Sequence, residues 1–270
     1  MAVRRIFDSH AHYDDDRFEG GEIALLNRLH NEEYVSLVMN AAASLKSIET
    51  SKKLSENLDF VYFCAGVHPE SAHTDSLDRM WLEKVKENAL HSKCKAIGEI
   101  GLDYYYGKET ADIQKEVFVK QLELARELLY PVIIHDREAH GDCLEIISDF
   151  PDVCGVFHSY SGSCEMAKEI LKKGWYISFN GIVTFKNARK TVEVAEFIRD
   201  FENGRYLDKI LVETDCPYLA PVPERGKMNH SGNIKYVAEK LGEILSMSCD
   251  EVCELTYKNA CRFYGLEDVI

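Results

Sequence analysis

Short β-prone apolar runs alternate with longer amphipathic stretches along the whole chain, and this alternation limits the folds open to it. Candidate strands cover Arg4–Asp8, Val35–Asn40, Val61–Val67, Ala96–Glu99, Val132–His135, Val153–His158, Trp175–Asn180 and Ile210–Glu213. The stretches between them have helical spacing, best seen at Phe118, Leu122, Ala125 and Leu129, which recur every three or four residues. Strands separated by helices pair in parallel, because a crossover takes the place of a hairpin. Eight such units in 270 residues predict an α/β protein, a (β/α)8 TIM barrel forming a single domain over residues 1–270. The rival is an open doubly wound sheet. The early glycines form no G-x-G-x-x-G after the first strand, so nothing supports a dinucleotide fold. No linker or low-complexity segment interrupts the pattern, and the Pro and Gly content of Tyr218–Gly232 reads as one long loop.

The net charge of −14 argues against a protein that coats nucleic acid through a broad basic surface. It leaves room for an enzyme that grips a phosphate through cations held by its acidic residues. Nine cysteines without a CxxC pair fit a reducing compartment. No run reaches the roughly 20 apolar residues that span a bilayer. The expectation is an intracellular protein, cytoplasmic or nuclear, with no membrane contact and no obligate protein partner.

Candidate ligands gather at one end of the strands. His10 and His12, two apart on a strand, aim their imidazoles the same way. Glu99, His135 and His158 end the fourth, fifth and sixth candidate strands, and Asp215 follows the eighth. On a barrel these six residues share the C-terminal rim, where active sites are built. Four histidines and two carboxylates exceed what one tetrahedral ion needs and suit two divalent cations, with Glu99 between the halves as a bridge. His30, His73, His91 and His140 fall in helical or loop patterns and read as solvated or incidental.

Ordered blocks of sequence carry a family resemblance. They are Asp8-Ser9-His10-Ala11-His12, Gly66-Val67-His68-Pro69, Gly98-Glu99-Ile100-Gly101-Leu102-Asp103-Tyr104, Pro131 to His135 with Arg137-Glu138-Ala139, His158-Ser159-Tyr160-Ser161-Gly162 and Glu213-Thr214-Asp215-Cys216-Pro217. Over essentially its whole length the chain resembles the TatD-related metal-dependent deoxyribonucleases, metal-dependent hydrolases on (β/α)8 barrels, and looks most similar to their animal members. The resemblance implies hydrolysis of phosphodiester bonds in DNA, and in some cases RNA, by 3′-to-5′ exonuclease action or abasic-site cleavage. It implies two divalent ions, Mg2+ for activity with Zn2+ or Mn2+ as alternatives. His10, His12, Glu99, His135, His158 and Asp215 would be the ligands, Asp215 also the general base, and Glu213 the group that orients the water or a ligand.

Substrate contacts are expected from His68, Arg137, Tyr160 and Arg225. The rival role for Arg137 is an ion pair with Glu138 or another nearby acid. Tyr160 and the run Tyr104–Tyr106 either stack on a base or pack the rim. Many relatives follow the Gly-Leu-Asp-Tyr-Tyr block with an arginine, where this chain has Tyr106-Gly107-Lys108. Two other functions compete. One is a small-molecule amide, lactone or phosphoester hydrolase on the same scaffold; the other is a catalytically silent metal-binding protein. Related barrels often bridge their metals with a modified lysine, and the fourth strand here ends in Glu99 instead.

Overall fold

The computed structural model describes residues 5–72 and 78–267. Its eight strands are β1 (Ile6–Ala11), β2 (Val35–Asn40), β3 (Val61–Ala65), β4 (Cys94–Asp103), β5 (Val132–Arg137), β6 (Gly155–Phe157), β7 (Tyr176–Phe179) and β8 (Ile210–Val212). They lie in sequence order in one sheet, and the fold is a (β/α)8 barrel. The fold contains two compact units: the described residues up to Met39 together with those from Ser159 onward, and Asn40–His158. Among the described residues, no helix is long and apolar enough to cross a membrane. None of the nine cysteines forms a disulfide.

In the unit Asn40–His158, β3, β4, β5 and β6 pair in parallel, with Gly101 opposite His135 and Asp103 opposite Arg137. The fourth strand runs four residues beyond Glu99, where the candidate strand ended, and includes Gly98 and Gly101. Those glycines instead let backbones approach. A Cβ on Gly101, whose φ is +139°, would stand 2.0 Å from the His135 carbonyl oxygen. A Cβ on Gly98 would stand 2.8 Å from Ile133 Cβ. The helix Ala111–Leu128 buries Phe118, Leu122 and Ala125 as its spacing predicts. Leu129, expected to complete that stripe, is the left-handed cap instead and is 90% exposed. The helix Leu45–Asn57 starts after Ser44, whose hydroxyl accepts the Ser47 N–H. His73 and the expected helix start at Leu77 lie outside the described residues.

In the other unit, β7 pairs with β8 in parallel, and the chain just past β8 bonds to the end of β1. Asp215 N donates to His10 O at 3.0 Å, and His12 N donates to Cys216 O at 2.8 Å. Tyr218–Gly232 is irregular apart from a short turn that begins at Ser231, as its composition predicts.

Candidate metal centre

Alternation along β1 points Asp8 and His10 the same way, and both are fully buried. His10 Nε2 lies 3.1 Å from His12 Nε2 and 3.7 Å from Asp215 Oδ1, and His12 Nε2 lies 3.2 Å from the same oxygen. Donors sharing one ion at bonds of about 2.1 Å stand about 3.0 Å apart at octahedral angles and about 3.4 Å apart at tetrahedral ones. Two sides of the triangle fall in this range and the third, His10 to Asp215 at 3.7 Å, is wider, so a divalent cation is held after a small inward shift of one donor. Asp215 has a φ of +56°, a strained conformation for a residue with a side chain.

Asp8 holds this triangle in place. Its Oδ1 accepts the Thr214 N–H at 3.0 Å, and its Oδ2 accepts the hydroxyls of Thr214 at 2.6 Å and Ser231 at 2.7 Å. Ser231 N donates to Tyr13 Oη, and Asn229 Nδ2 donates to Thr214 O. Burial pushes the Asp8 carboxyl up to about 7, against the downward pull of the Thr214 and Ser231 hydrogen bonds. Glu213, also fully buried, accepts the Ser159 N–H at 2.7 Å and Asn180 Nδ2 at 3.4 Å. It thus fixes the backbone immediately after His158.

The unit Asn40–His158 gathers a second cluster. Glu99 Oε1 lies 2.8 Å from both His135 Nδ1 and His158 Nε2, which are 3.2 Å from each other. His135 Nε2 is 3.1 Å from Asp103 Oδ2. An ionised carboxylate only accepts, so His135 donates to both Asp103 and Glu99 only as the imidazolium, and a neutral ring leaves a lone pair facing one of them. Such an array of lone pairs calls for a proton or a cation among them. Burial works to lower the His135 pKa, but hydrogen bonds to Asp103 and Glu99 outweigh it and hold the ring above its ordinary value. Burial likewise works to raise Asp103, and the bond from His135 brings it below the usual carboxylate range.

His68 Nε2 lies 3.6 Å from Glu99 Oε1. Its Nδ1 accepts the Glu70 N–H at 3.2 Å, so the proton of the neutral ring sits on Nε2. That arrangement suits a hydrogen-bond donor rather than a ligand. The loop carrying it is held by Gln121, whose amide accepts from Val67 N at 2.7 Å and donates to Val67 O at 3.0 Å.

The remaining expected contacts divide. Arg137 is exposed and packs on tyrosine rings, and among the described residues it makes no ion pair with Glu138 or any other acid. Arg225 is exposed over the Phe185 ring at 4.1 Å. Tyr160 is 5% exposed with its hydroxyl donating to Ser163 O, so it packs beneath its loop instead of facing solvent. Of the four histidines read as incidental, His30 and His140 bond to Val35 O and Asp136, and His91 pairs with Glu56.

Asp103 and Asp8 are supporting residues that the motifs contain without marking their role. The signal was available in strand parity, since Asp103 lies four residues beyond Glu99 and Asp8 two before His10. Asp103→Asn should weaken metal binding by about 10- to 100-fold. With the amide oxygen on the Tyr105 and Tyr106 N–H groups, its NH2 faces His135 Nε2 and forces the ring proton onto Nδ1. Calorimetric titration of the metal-stripped protein checks this, and wild-type affinity would show that Asp103 does not orient the ring.

Residues 7–265 match the family described as TatD related DNase. The chain is 38% identical over 264 residues to the uncharacterized metal-dependent hydrolase YabD of Bacillus subtilis, covering 97% of this chain and 99% of the relative. It is 35% identical over 274 residues to YcfH of Escherichia coli K12, also named an uncharacterized metal-dependent hydrolase, covering 97% and 96%. The crystal structure of YJJV, a TatD homologue from E. coli K12, superposes with a TM-score of 0.87 at 26% identity, covering 97% of this chain and 98% of that one. These relatives are bacterial and give the expected animal placement no support. The chain belongs to the TatD-related family and is a metal-dependent hydrolase whose histidine and carboxylate clusters are able to bind metal ions.

Proposed function

We propose that the protein hydrolyses phosphodiester bonds in DNA, with RNA as a further substrate, by 3′-to-5′ removal of nucleotides or cleavage at abasic sites. The observation that carries this reading is the His10–His12–Asp215 triangle, which places a carboxylate among donors spaced for one cation. The description of the matching family as a DNase supports it. In this reading each cluster takes one divalent ion, Mg2+ in the active protein with Mn2+ or Zn2+ as substitutes. His10, His12 and Asp215 hold one, and Glu99, His135 and His158 hold the other. Bound ions lower the pKa of water and draw charge from phosphate oxygens.

The chain's own groups supply the rest. Asp215 accepts the proton of the attacking water as its oxygen bonds to phosphorus and the P–O bond to the leaving nucleotide breaks. The leaving oxygen takes its proton from solvent. His68 Nε2–H and the Arg137 guanidinium donate to phosphate oxygens. Glu213 holds the Ser159 backbone and orients the attacking water or a ligand.

End-labelled single-stranded, duplex and abasic-site DNA, incubated with metal-stripped protein and added Mg2+, Mn2+ or Zn2+, tests the reading. Metal-dependent cleavage that disappears in Asp215→Asn is expected. A protein that binds metal yet cuts none of these substrates would move the assignment to small-molecule esters or amides.

A further inference from the structure

The short helical turn Tyr104–Gly107, in the loop segment after β4, carries three consecutive tyrosines, and their surroundings differ. Tyr104 Oη donates to Asp142 Oδ2 at 2.5 Å, which ties its ring to the scaffold. Tyr105 and Tyr106 are 55% and 60% exposed, against the strong tendency of aromatic rings to be covered. Their rings meet edge to face with centroids 4.7 Å apart. The Arg137 guanidinium carbon lies 4.2 Å from the first centroid and 4.7 Å from the second. Among the described residues, Arg137 makes no direct ion pair, although its charge favours the ionised forms of Asp103 and Glu70 nearby. An arginine packed on ring faces and hydrogen-bonded to no carboxylate keeps its N–H fork for an acceptor outside the protein.

This platform is fixed to the Glu99 cluster by one carboxylate. Asp103 Oδ1 accepts the Tyr105 and Tyr106 N–H groups at 2.9 and 2.8 Å, and its Oδ2 takes His135 Nε2 at 3.1 Å. Arg137 stands opposite Asp103 in the sheet and two residues beyond His135, so β5 presents both on the same side. Gln114 closes the loop, bonding to both backbone groups of Asp103 and to the Gly107 carbonyl. A loop fastened this firmly that still leaves two rings in water is built to receive something flat. The free guanidinium indicates that what it receives is also anionic.

We infer that Tyr105, Tyr106 and Arg137 form a nucleotide subsite, in which the rings stack a nucleobase and Arg137 holds the phosphate beside the one that is cut. The inference rests on the nuclease reading above and deepens it by assigning the residues that sense the base. A nucleotide that keeps its base should then be held better than one without.

The test compares oligonucleotides with ordinary 3′-terminal nucleotides against the same strands ending in two abasic nucleotides. It uses kcat/KM for the metal-loaded protein and fluorescence anisotropy of labelled strands on the metal-stripped protein. The wild type should prefer base-bearing ends by about tenfold or more, in cutting and in binding. Tyr105→Leu/Tyr106→Leu should lose most of that preference, and Tyr105→Phe/Tyr106→Phe should keep it. Arg137→Gln should weaken both strands alike. A leucine variant that keeps the preference, or a wild type that shows none, overturns the subsite alone. So does a leucine variant that changes only self-association. A wild type that neither binds nor cuts any strand overturns the nuclease reading and the subsite with it.

Discussion

Replacing Glu99 by glutamine is expected to lower metal-dependent hydrolysis about a thousandfold while leaving the protein folded. One oxygen of this side chain is 2.8 Å from both His135 Nδ1 and His158 Nε2, and the residue is 2% exposed. A carboxylate in such a place costs several kcal/mol of desolvation unless a cation or proton compensates it. The amide has the same size and no charge, so it removes both the cost and the attraction for a cation. The thermal midpoint of the metal-stripped variant should therefore equal or exceed that of the wild type. The rise in midpoint that metal gives the wild type should vanish, since a ligand stabilises only the state it binds. A variant that still gains the full rise, or still turns over normally, would remove Glu99 from the metal site.

The second large effect concerns stability. Asp8→Ala should cost about 3–5 kcal/mol, because it strands three buried donors at once: Thr214 N, Thr214 Oγ1 and Ser231 Oγ. For a chain of this length the thermal midpoint should fall by on the order of 10 °C. Asp8→Asn keeps a carbonyl for the Thr214 N–H, and the two hydroxyls are able to turn and accept from its NH2. Its loss should be less than half as large. Calorimetry of the three metal-stripped proteins measures the difference, and equal midpoints would show that the network contributes nothing. The alanine variant should also lose metal affinity, since Thr214 directly precedes Asp215.

Periodicity in the sequence was enough to read the barrel, because each strand and helix had to bury one side regardless of its neighbours. Val35–Asn40 illustrates this, with the observed strand spanning the same residues. The ligands were legible for a related reason: His10 and His12 share a strand face, and Glu99, His135, His158 and Asp215 lie at or just past strand ends. What the sequence hid were contacts that depend on packing. Gly98 and Gly101 carried no role in the sequence, and only the paired strand shows that β4 needs them for close approach to Ile133 and His135. Asp8 and Asp103 looked like ordinary motif acids, because their partners Thr214, Ser231 and His135 are remote in sequence. Exposure was likewise unreadable: Tyr160, expected to touch substrate, is buried, while Tyr105 and Tyr106, left open between stacking and packing, are exposed.

Gln114 and Gln121 are seven residues apart on the helix Ala111–Leu128, close to two full turns, so they leave it on the same side. Each amide clasps the N–H and C=O of one residue, Asp103 for the former and Val67 for the latter. A single helix therefore sets the height of two loops, the one that carries His68 and the one that carries the tyrosines. Inserting one residue between the glutamines would rotate one of them by about 100° and release its loop. In the divergence of such chains, the outward face of this helix is free to drift in composition. Its length between these two positions is not, because a frameshift in the helical register would misplace half of the rim without altering a single ligand.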